Sequence, residues 1–163
     1  MCTRLYYCTG INLGLVWRWG MKVSFCKDTA WLLSDEAYLL YSPCMYQASF
    51  EEYKERMDCF VADPYVKIFV CELNGKKAGM LVLDEGSTVP EIIGIAVSKN
   101  QRHQGIGKQM IQKVMESEKL ERIKAQTDDD AIGFYRSLGF NTEKVMKKYP
   151  DGISVRYNCS MTR

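Results

Sequence analysis

A basic loop with two glycines follows an apolar run in the middle of the chain, and this order of residues is typical of an anion-binding site. The apolar run is Ile92–Val97, and residues 102–108 of the loop read Arg-His-Gln-Gly-Ile-Gly-Lys. Glycine lets the backbone approach a ligand closely, and a helix that begins there presents unpaired N–H groups and the positive end of its dipole. We therefore expect the backbone of this loop to bind a phosphate group.

Two common nucleotide-binding motifs do not fit the loop. A Walker motif needs Ser or Thr after its Gly-Lys pair and a glycine five residues earlier, but Gln109 follows Lys108 and the earlier position is Arg102. A dinucleotide fingerprint needs a third glycine where this chain has Met110. The sequence therefore argues against a nucleoside triphosphate and against a dinucleotide.

The loop is followed by a second motif, and the two together resemble the GNAT acyltransferases. Residues 102–107 fit the pattern [Q/R]-x-x-G-x-[G/A], and residues 131–140 fit A-x-x-F-Y-x-x-x-G-F, with room for one helix and one strand between them. The resemblance extends from about Lys22 to the C-terminus, and before Val66 it rests on the order of elements alone. It implies an α/β (α+β) fold: a mixed, mostly antiparallel sheet with one splayed parallel strand pair and flanking helices.

The resemblance also implies acetyl-CoA as cosubstrate. Its diphosphate would bind the loop backbone, and its pantetheine amides would pair with the edge of the strand that contains Ile95 and Val97, near a bulge at or beside Gly94. The side chains of Arg102 and Lys108 either add charge near the phosphates or are simply exposed, and His103 contributes its backbone only. The expected coenzyme contacts are Ile95, Ala96, Val97, Arg102, His103, Gln104, Gly105, Ile106, Gly107, Lys108 and Phe134.

Two residues are the candidates for proton transfer. Tyr135 matches the family tyrosine near the coenzyme sulfur, where it would act as general acid. An alkyl amine with a pKa of about 10.4 is mostly protonated at neutral pH, so a base is useful. Glu91 stands where many family members place a carboxylate that acts through water, and a solvated strand end is the alternative. Asp128 replaces a frequent asparagine, so we expect it to cap a helix and not to bind the coenzyme.

Composition indicates one folded domain. The chain has 163 residues, of which 47% are hydrophobic and 26% are charged, and a net charge of +2 gives no general case for nucleic acid or membrane binding. Seven cysteines without C-x-x-C spacing and a single histidine favour reduced thiols in the cytoplasm and no metal. We expect the domain to span residues 21–163. Residues 1–20 are then either an upstream extension or an additional strand.

Local patterns predict the order of elements. We expect a strand at 23–26, a helical stretch capped by Asp28 and broken at Ser42-Pro43, and a helix with a capping box from Ser49 to Asp63. Strands at 66–73, 77–83 and 88–97 form an antiparallel meander with an Asn74-Gly75 hairpin. A helix from about 105, a parallel strand at 123–127, a helix capped by Thr127 and Asp130, and paired strands at 141–149 and 153–160 complete the chain.

These patterns favour direct transfer of an acetyl group from acetyl-CoA to a primary amine of a small molecule or peptide. A non-catalytic acyl-CoA sensor or partner-binding module is the alternative, and a protein N-terminus or lysine is an alternative acceptor. A deep closed pocket walled by Trp31, Tyr38, Tyr46 and Phe50 would favour a small metabolite, whereas an open groove would favour a peptide. The sequence leaves both a monomer and a homodimer open.

Overall fold

The computed structural model describes residues 20–149 and 152–163. Its strands and helices are β1 Met21–Phe25, α1 Thr29–Leu32, α2 Asp35–Tyr41, α3 Phe50–Ala62, β2 Val66–Leu73, β3 Lys76–Asp84, β4 Glu91–Val97, α4 Ile106–Ser117, β5 Arg122–Thr127, α5 Ile132–Ser137, β6 Asn141–Tyr149 and β7 Gly152–Thr162. Short 3-10 helices cover Ser42–Cys44 and Lys99–Gln101. The prediction for residues 1–20 falls almost wholly outside the described residues.

All seven strands form one sheet in the order β1-β2-β3-β4-β5-β7-β6, and every neighbouring pair is antiparallel except β4 and β5. The parallel pair meets only where Glu91 faces Lys124 and Ile92 faces Ala125. Beyond these two pairs the strands part, and we call the space between them the β4–β5 gap. The predicted fold class is confirmed, including the splayed parallel pair.

A bulge lies where β4 leaves β5, as predicted. In β3, Val82 pairs with Gly94 but the next residue pairs with Ile92, so Ile93 is an extra residue in β4. Past the bulge, the Ser98 N–H donates to the Ala78 carbonyl. Because paired and unpaired positions alternate in an antiparallel ladder, the N–H and C=O groups of residues 95 and 97 point away from β3. They face the β4–β5 gap.

Two hydrophobic clusters cover opposite sides of the sheet. One lies under α4 and α5 and includes Ile92, Ala125 and Tyr135, and we call this side the α4 face. The other lies under α1, α2 and α3 and includes Tyr41 and Ala96, and we call this side the α2 face. Side chains along a strand alternate between the faces, so each residue of β4 is assigned to one of them.

The turn signals in the sequence were mostly reliable. The Ser49 hydroxyl accepts a hydrogen bond from the backbone N–H of Glu52, and the backbone N–H of Ser49 donates to the Glu52 carboxylate. These two bonds confirm the capping box. Asn74 and Gly75 both adopt left-handed backbone angles, with φ of 50° and 77°, as an Asn-Gly hairpin requires.

Three predicted boundaries were wrong. The helical stretch after Asp28 forms two helices, because the Ser34 hydroxyl caps a new helix by accepting the Ala37 N–H. The carboxylate of Asp128, and not the Thr127–Asp130 box, accepts the Ala131 N–H before α5, since Thr127 is buried as the last residue of β5. The third meander strand begins at Glu91 and not at residue 88.

Candidate active site

The loop before α4 has the geometry of an anion-binding site. Gly105 is the N-cap of α4 and adopts a left-handed conformation with φ of 76°, and His103 does the same with φ of 57°. The N–H of Gln109 donates to the Gly105 carbonyl, so the preceding N–H groups, those of residues 106–108, have no partner within the helix. A Cβ added to Gly105 would meet nothing within 4 Å.

Gly107 has a packing role in addition to the expected close approach to a ligand, which stays a prediction. A Cβ at this position would lie 2.9 Å from the Phe134 ring. The missing side chain therefore allows the first turn of α4 to pack against α5. Phe134 lies beside the start of the loop helix, and its partner in the motif, Tyr135, follows directly behind it.

The free edge of β4 carries two accessible carbonyl groups, and both accept a hydrogen bond from a side chain. The Cys44 Sγ lies 3.2 Å from the Ile95 oxygen, and the Arg102 Nε lies 2.9 Å from the Val97 oxygen. These are the residues predicted to pair with the pantetheine arm. The Arg102 side chain thus bonds to the strand edge, and that of Lys108 is exposed.

Cys44 contributes a protonated thiol to this edge. The residue as a whole is exposed, yet its sulfur is enclosed against β4. Burial raises the pKa of the Cys44 thiol to about 11, while the backbone of Ile95 and the charge of Arg102 act in the opposite direction. At neutral pH the sulfur is therefore a weak hydrogen-bond donor and a poor nucleophile.

Tyr135 lies on the α4 face at the β4–β5 gap. Its side chain is 5% exposed and packs edge to face against Phe134 and Phe140, at ring-centroid distances of 5.1 and 5.2 Å. Burial raises its pKa above the ordinary value for tyrosine, with smaller contributions from Cys159, Cys44 and Glu91. The hydroxyl therefore stays protonated at neutral pH and can act as a donor.

Glu91 lies on the opposite side of the sheet from Tyr135. Its neighbour Ile92 belongs to the α4 face, so Glu91 points to the α2 face, where its Oε2 lies 3.3 Å from the Lys124 Nζ. The two candidate catalytic residues thus approach the β4–β5 gap from opposite faces.

An open cavity of about 510 Å³ lies beside Glu91 on the sheet formed by β5, β7 and β6. Its lining is polar and carries both signs of charge, from Glu91, Lys124, Gln126, Glu143, Lys147 and Asn158. The Gln126 Nε2 donates to the Asn158 Oδ1 at 2.8 Å, which fixes the amides on its floor. This cavity can admit a polar molecule to the α2 face of the gap.

Tyr41 was missed by the sequence analysis. A Cβ at Gly94 would lie 1.9 Å from the Tyr41 hydroxyl oxygen, so the end of α2 packs directly on the backbone at the bulge. Cys44 follows in the adjoining 3-10 helix. The only signal in the sequence was the glycine inside a strand, which often marks a close approach by another group.

The four aromatic residues considered as walls of a closed pocket do not form one among the described residues. The Tyr46 side chain is 91% exposed, and the rings of Tyr38 and Phe50 pack against each other at 5.3 Å. The Tyr38 hydroxyl donates to the Ala48 carbonyl. These four side chains therefore do not enclose the gap within the part of the chain that the structure describes.

Three further properties bear on the chemistry of the site. Within residues 20–149 and 152–163, no group of three or more His, Cys, Asp or Glu side chains is placed to hold a metal ion. The five cysteines in this part of the chain are free thiols. No helix of the described structure is long and apolar enough to cross a membrane.

Known proteins share both the sequence pattern and the fold. The pattern of the acetyltransferase (GNAT) family matches residues 28–140. An uncharacterized N-acetyltransferase of Methanocaldococcus jannaschii is 36% identical over 92 residues, which cover 48% of this chain and 41% of that protein. The chain thus aligns with less than half the length of this curated relative.

Solved structures agree on the architecture. A GNAT family acetyltransferase from Elizabethkingia anophelis with acetyl-CoA bound has a TM-score of 0.65 at 18% identity, covering 90% of this chain and all of that one. The ribosomal-protein-S18-alanine N-acetyltransferase of Escherichia coli has a TM-score of 0.64 at 17% identity, covering 87% and 93%. The matched pattern extends over more than half of the chain, and the fold agrees with it. The chain belongs to the GNAT family.

Proposed function

We propose that the protein transfers an acetyl group from acetyl-CoA to a primary amine of a small molecule or peptide by direct attack. The observation that carries this proposal is the continuity of the free β4 edge with the N-terminus of α4. An extended chain with amide groups can pair with the edge, and a diphosphate attached to it then reaches the unpaired N–H groups of the helix.

The residues present suit this cosubstrate. The amides of a pantetheine arm would pair with the open N–H and C=O groups of Ile95 and Val97. In doing so they would replace the Cys44 and Arg102 side chains as donors to these carbonyls. The freed guanidinium of Arg102 is then available to the phosphates, since Arg102 begins the anion-binding loop.

The reaction moves one proton from nitrogen to sulfur. The amine enters from the α2 face as an ammonium ion, and Glu91 accepts its first proton through a water. The neutral nitrogen then forms a bond to the thioester carbon, and the proton that this nitrogen loses as the amide forms replaces the one that Tyr135 gives to the sulfur. The carbon–sulfur bond then breaks, and Tyr135 donates to the departing sulfur from the α4 face. The high pKa of the Cys44 thiol argues against an acyl-cysteine intermediate at this site.

The open cavity favours a peptide amine over a compact metabolite as acceptor. It is polar, carries charges of both signs and is open at the side, so a chain can leave the site after its terminal amine has entered. A relative with this fold is named for acetylating an alanine of ribosomal protein S18.

Calorimetry and an activity assay test the proposal. We expect the purified chain to bind CoA and acetyl-CoA, and to release thiol from acetyl-CoA in the presence of one class within a panel of peptides, polyamines, amino sugars and amino acids. Absence of binding would overturn the proposal. Binding without turnover on any amine would identify a sensor of acyl-CoA instead.

A further inference from the structure

Tyr41 is a buried tyrosine at the β4–β5 gap that the reaction described above does not use. Its side chain is 2% exposed and belongs to the cluster on the α2 face. Its hydroxyl oxygen occupies the space that a side chain at Gly94 would need. It therefore contacts the backbone at the point where β4 leaves β5, next to the open N–H of Ile95.

The hydroxyl of Tyr41 differs from those of nearby tyrosines. The Tyr53 hydroxyl donates to the Leu32 carbonyl at 2.7 Å, and the Tyr38 hydroxyl donates to the Ala48 carbonyl at 3.0 Å. The Tyr41 hydroxyl makes no hydrogen bond to another residue in the described part of the chain. It lies instead against the backbone of Gly94, in the space that a side chain there would occupy.

The surroundings keep this hydroxyl protonated. Burial raises the pKa of Tyr41 far above the ordinary value for tyrosine, and Cys44, Tyr53 and Tyr135 add to the effect. Tyr41 and Tyr135 are close enough to interact electrostatically, although they belong to opposite faces of the sheet. Two protonated hydroxyl groups therefore flank the start of the gap.

This inference rests on the proposed function. We propose that Tyr41 is a catalytic residue whose hydroxyl donates a hydrogen bond to the thioester carbonyl oxygen, together with the backbone N–H of Ile95. As the amine nitrogen bonds to the carbonyl carbon, the π electrons move to this oxygen. They return when the carbon–sulfur bond breaks, and the Tyr41 proton stays in place throughout. Tyr135 donates a proton to the sulfur, and Tyr41 donates a hydrogen bond to the carbonyl oxygen.

Tyr41→Phe removes only the hydroxyl and tests the proposal. Loss of one donor to a developing oxyanion typically lowers kcat by 10²–10³-fold, and with the Ile95 N–H still present we expect a loss of about 10²-fold. The KM for acetyl-CoA and its calorimetric affinity should stay within about twofold, because the thioester oxygen gains its charge only during the reaction.

Tyr53→Phe is the matched control, since it removes a buried hydroxyl from the same cluster. This variant breaks the bond to the Leu32 carbonyl, so we expect a lower Tm with an unchanged kcat. Tyr41→Phe should show the reverse, a retained Tm with a reduced kcat. A lower Tm and an unchanged kcat for Tyr41→Phe would show that the hydroxyl is structural and would overturn the inference.

Infrared difference spectroscopy with acetyl-CoA labelled with ¹³C at the carbonyl carbon provides a readout besides activity. We expect the carbonyl band of the bound thioester to lie at lower frequency than in solution, and to move back toward the solution value in Tyr41→Phe but not in Tyr53→Phe. An identical band in the wild type and Tyr41→Phe would overturn the inference. If the wild type binds no acetyl-CoA, the proposed function fails as well, so the two failures are distinguishable.

Discussion

The two faces of the sheet at the β4–β5 gap are built in different ways. On the α4 face, the loop before α4, the glycine at 107 and the Phe134-Tyr135 pair come from two short segments, each of which is continuous in sequence. On the α2 face, Tyr41 and Cys44 come from the first third of the chain and meet β4 only through tertiary contacts.

This difference separates the part of the site that we expect to bind the coenzyme from the part that we expect to contact the acceptor. A diphosphate and a pantetheine arm are the same in every reaction of acetyl-CoA, so a fixed local motif can bind them. The acceptor differs among relatives with this fold. On the α2 face, Tyr41 and Cys44 contact β4, and the carboxylate of Glu91 lines the open cavity. We expect substitutions on the α4 face to affect the coenzyme chemistry, and those on the α2 face to affect the acceptor and the carbonyl group.

Tyr135→Phe should have the largest effect. General acid catalysis typically contributes 10²–10⁴-fold, so we expect kcat to fall by at least about 10²-fold, while calorimetry shows unchanged affinity for CoA. The control is Tyr157→Phe, because Tyr157 belongs to the same cluster and its hydroxyl donates to Asp129 at 2.7 Å, away from the gap. Equal turnover of Tyr135→Phe and the wild type would remove Tyr135 from the mechanism.

Sequence patterns predicted the elements that depend on short-range interactions, on both faces of the sheet. The Asn-Gly hairpin, the capping box, the loop before α4 and the parallel crossover each depend on interactions between residues close in sequence. A short motif was therefore sufficient to position Gly105 and Tyr135.

The contacts of Tyr41 and Cys44 on the α2 face could not be predicted from short sequence patterns. The contact of Cys44 with the Ile95 carbonyl joins residues 51 positions apart, and no periodicity or motif links them. The packing role of Gly107 was not predicted for the same reason, since the Phe134 ring that lies where its side chain would be comes from α5. The sequence left open whether aromatic residues wall a closed pocket; in the structure the rings of Tyr38 and Phe50 pack against each other.

Glu91→Gln should have an intermediate effect that depends on pH. If the carboxylate accepts a proton from the incoming amine through water, we expect kcat/KM to fall about 10-fold at neutral pH. The loss should shrink above pH of about 10, where the amine is already deprotonated and needs no base. Rate profiles from pH 6 to 11 measure this.

Glu72→Gln is the control for this profile, because Glu72 is a strand carboxylate on β2, separated from the gap by β3. Its profile should match that of the wild type. A constant loss at all pH values in Glu91→Gln would indicate that Glu91 orients the acceptor by its ion pair with Lys124. No loss at any pH would leave Glu91 as a solvated strand end.

Cys44→Ala should have the smallest effect, and its direction is a gain. The thiol donates to the Ile95 carbonyl, which the pantetheine arm must also use, so its removal should tighten CoA binding. A thiol is a weak donor, and a net hydrogen bond contributes about 0.5–1.5 kcal/mol, so we expect a two- to threefold lower Kd by calorimetry.

Cys59→Ala is the matched control, because Cys59 is an exposed thiol on α3. It should leave the Kd unchanged. Alkylation gives an independent check, since burial raises the pKa of Cys44 to about 11 and its thiolate is scarce below that pH. Iodoacetamide at pH 8 should modify Cys59 well before Cys44, and saturating acetyl-CoA, whose sulfur is blocked, should accelerate modification of Cys44 by releasing it from β4. Slower modification of Cys44 with the coenzyme bound would mean that the pantetheine arm covers this thiol instead of displacing it. The arm would then bind the edge of β4 elsewhere than at Ile95.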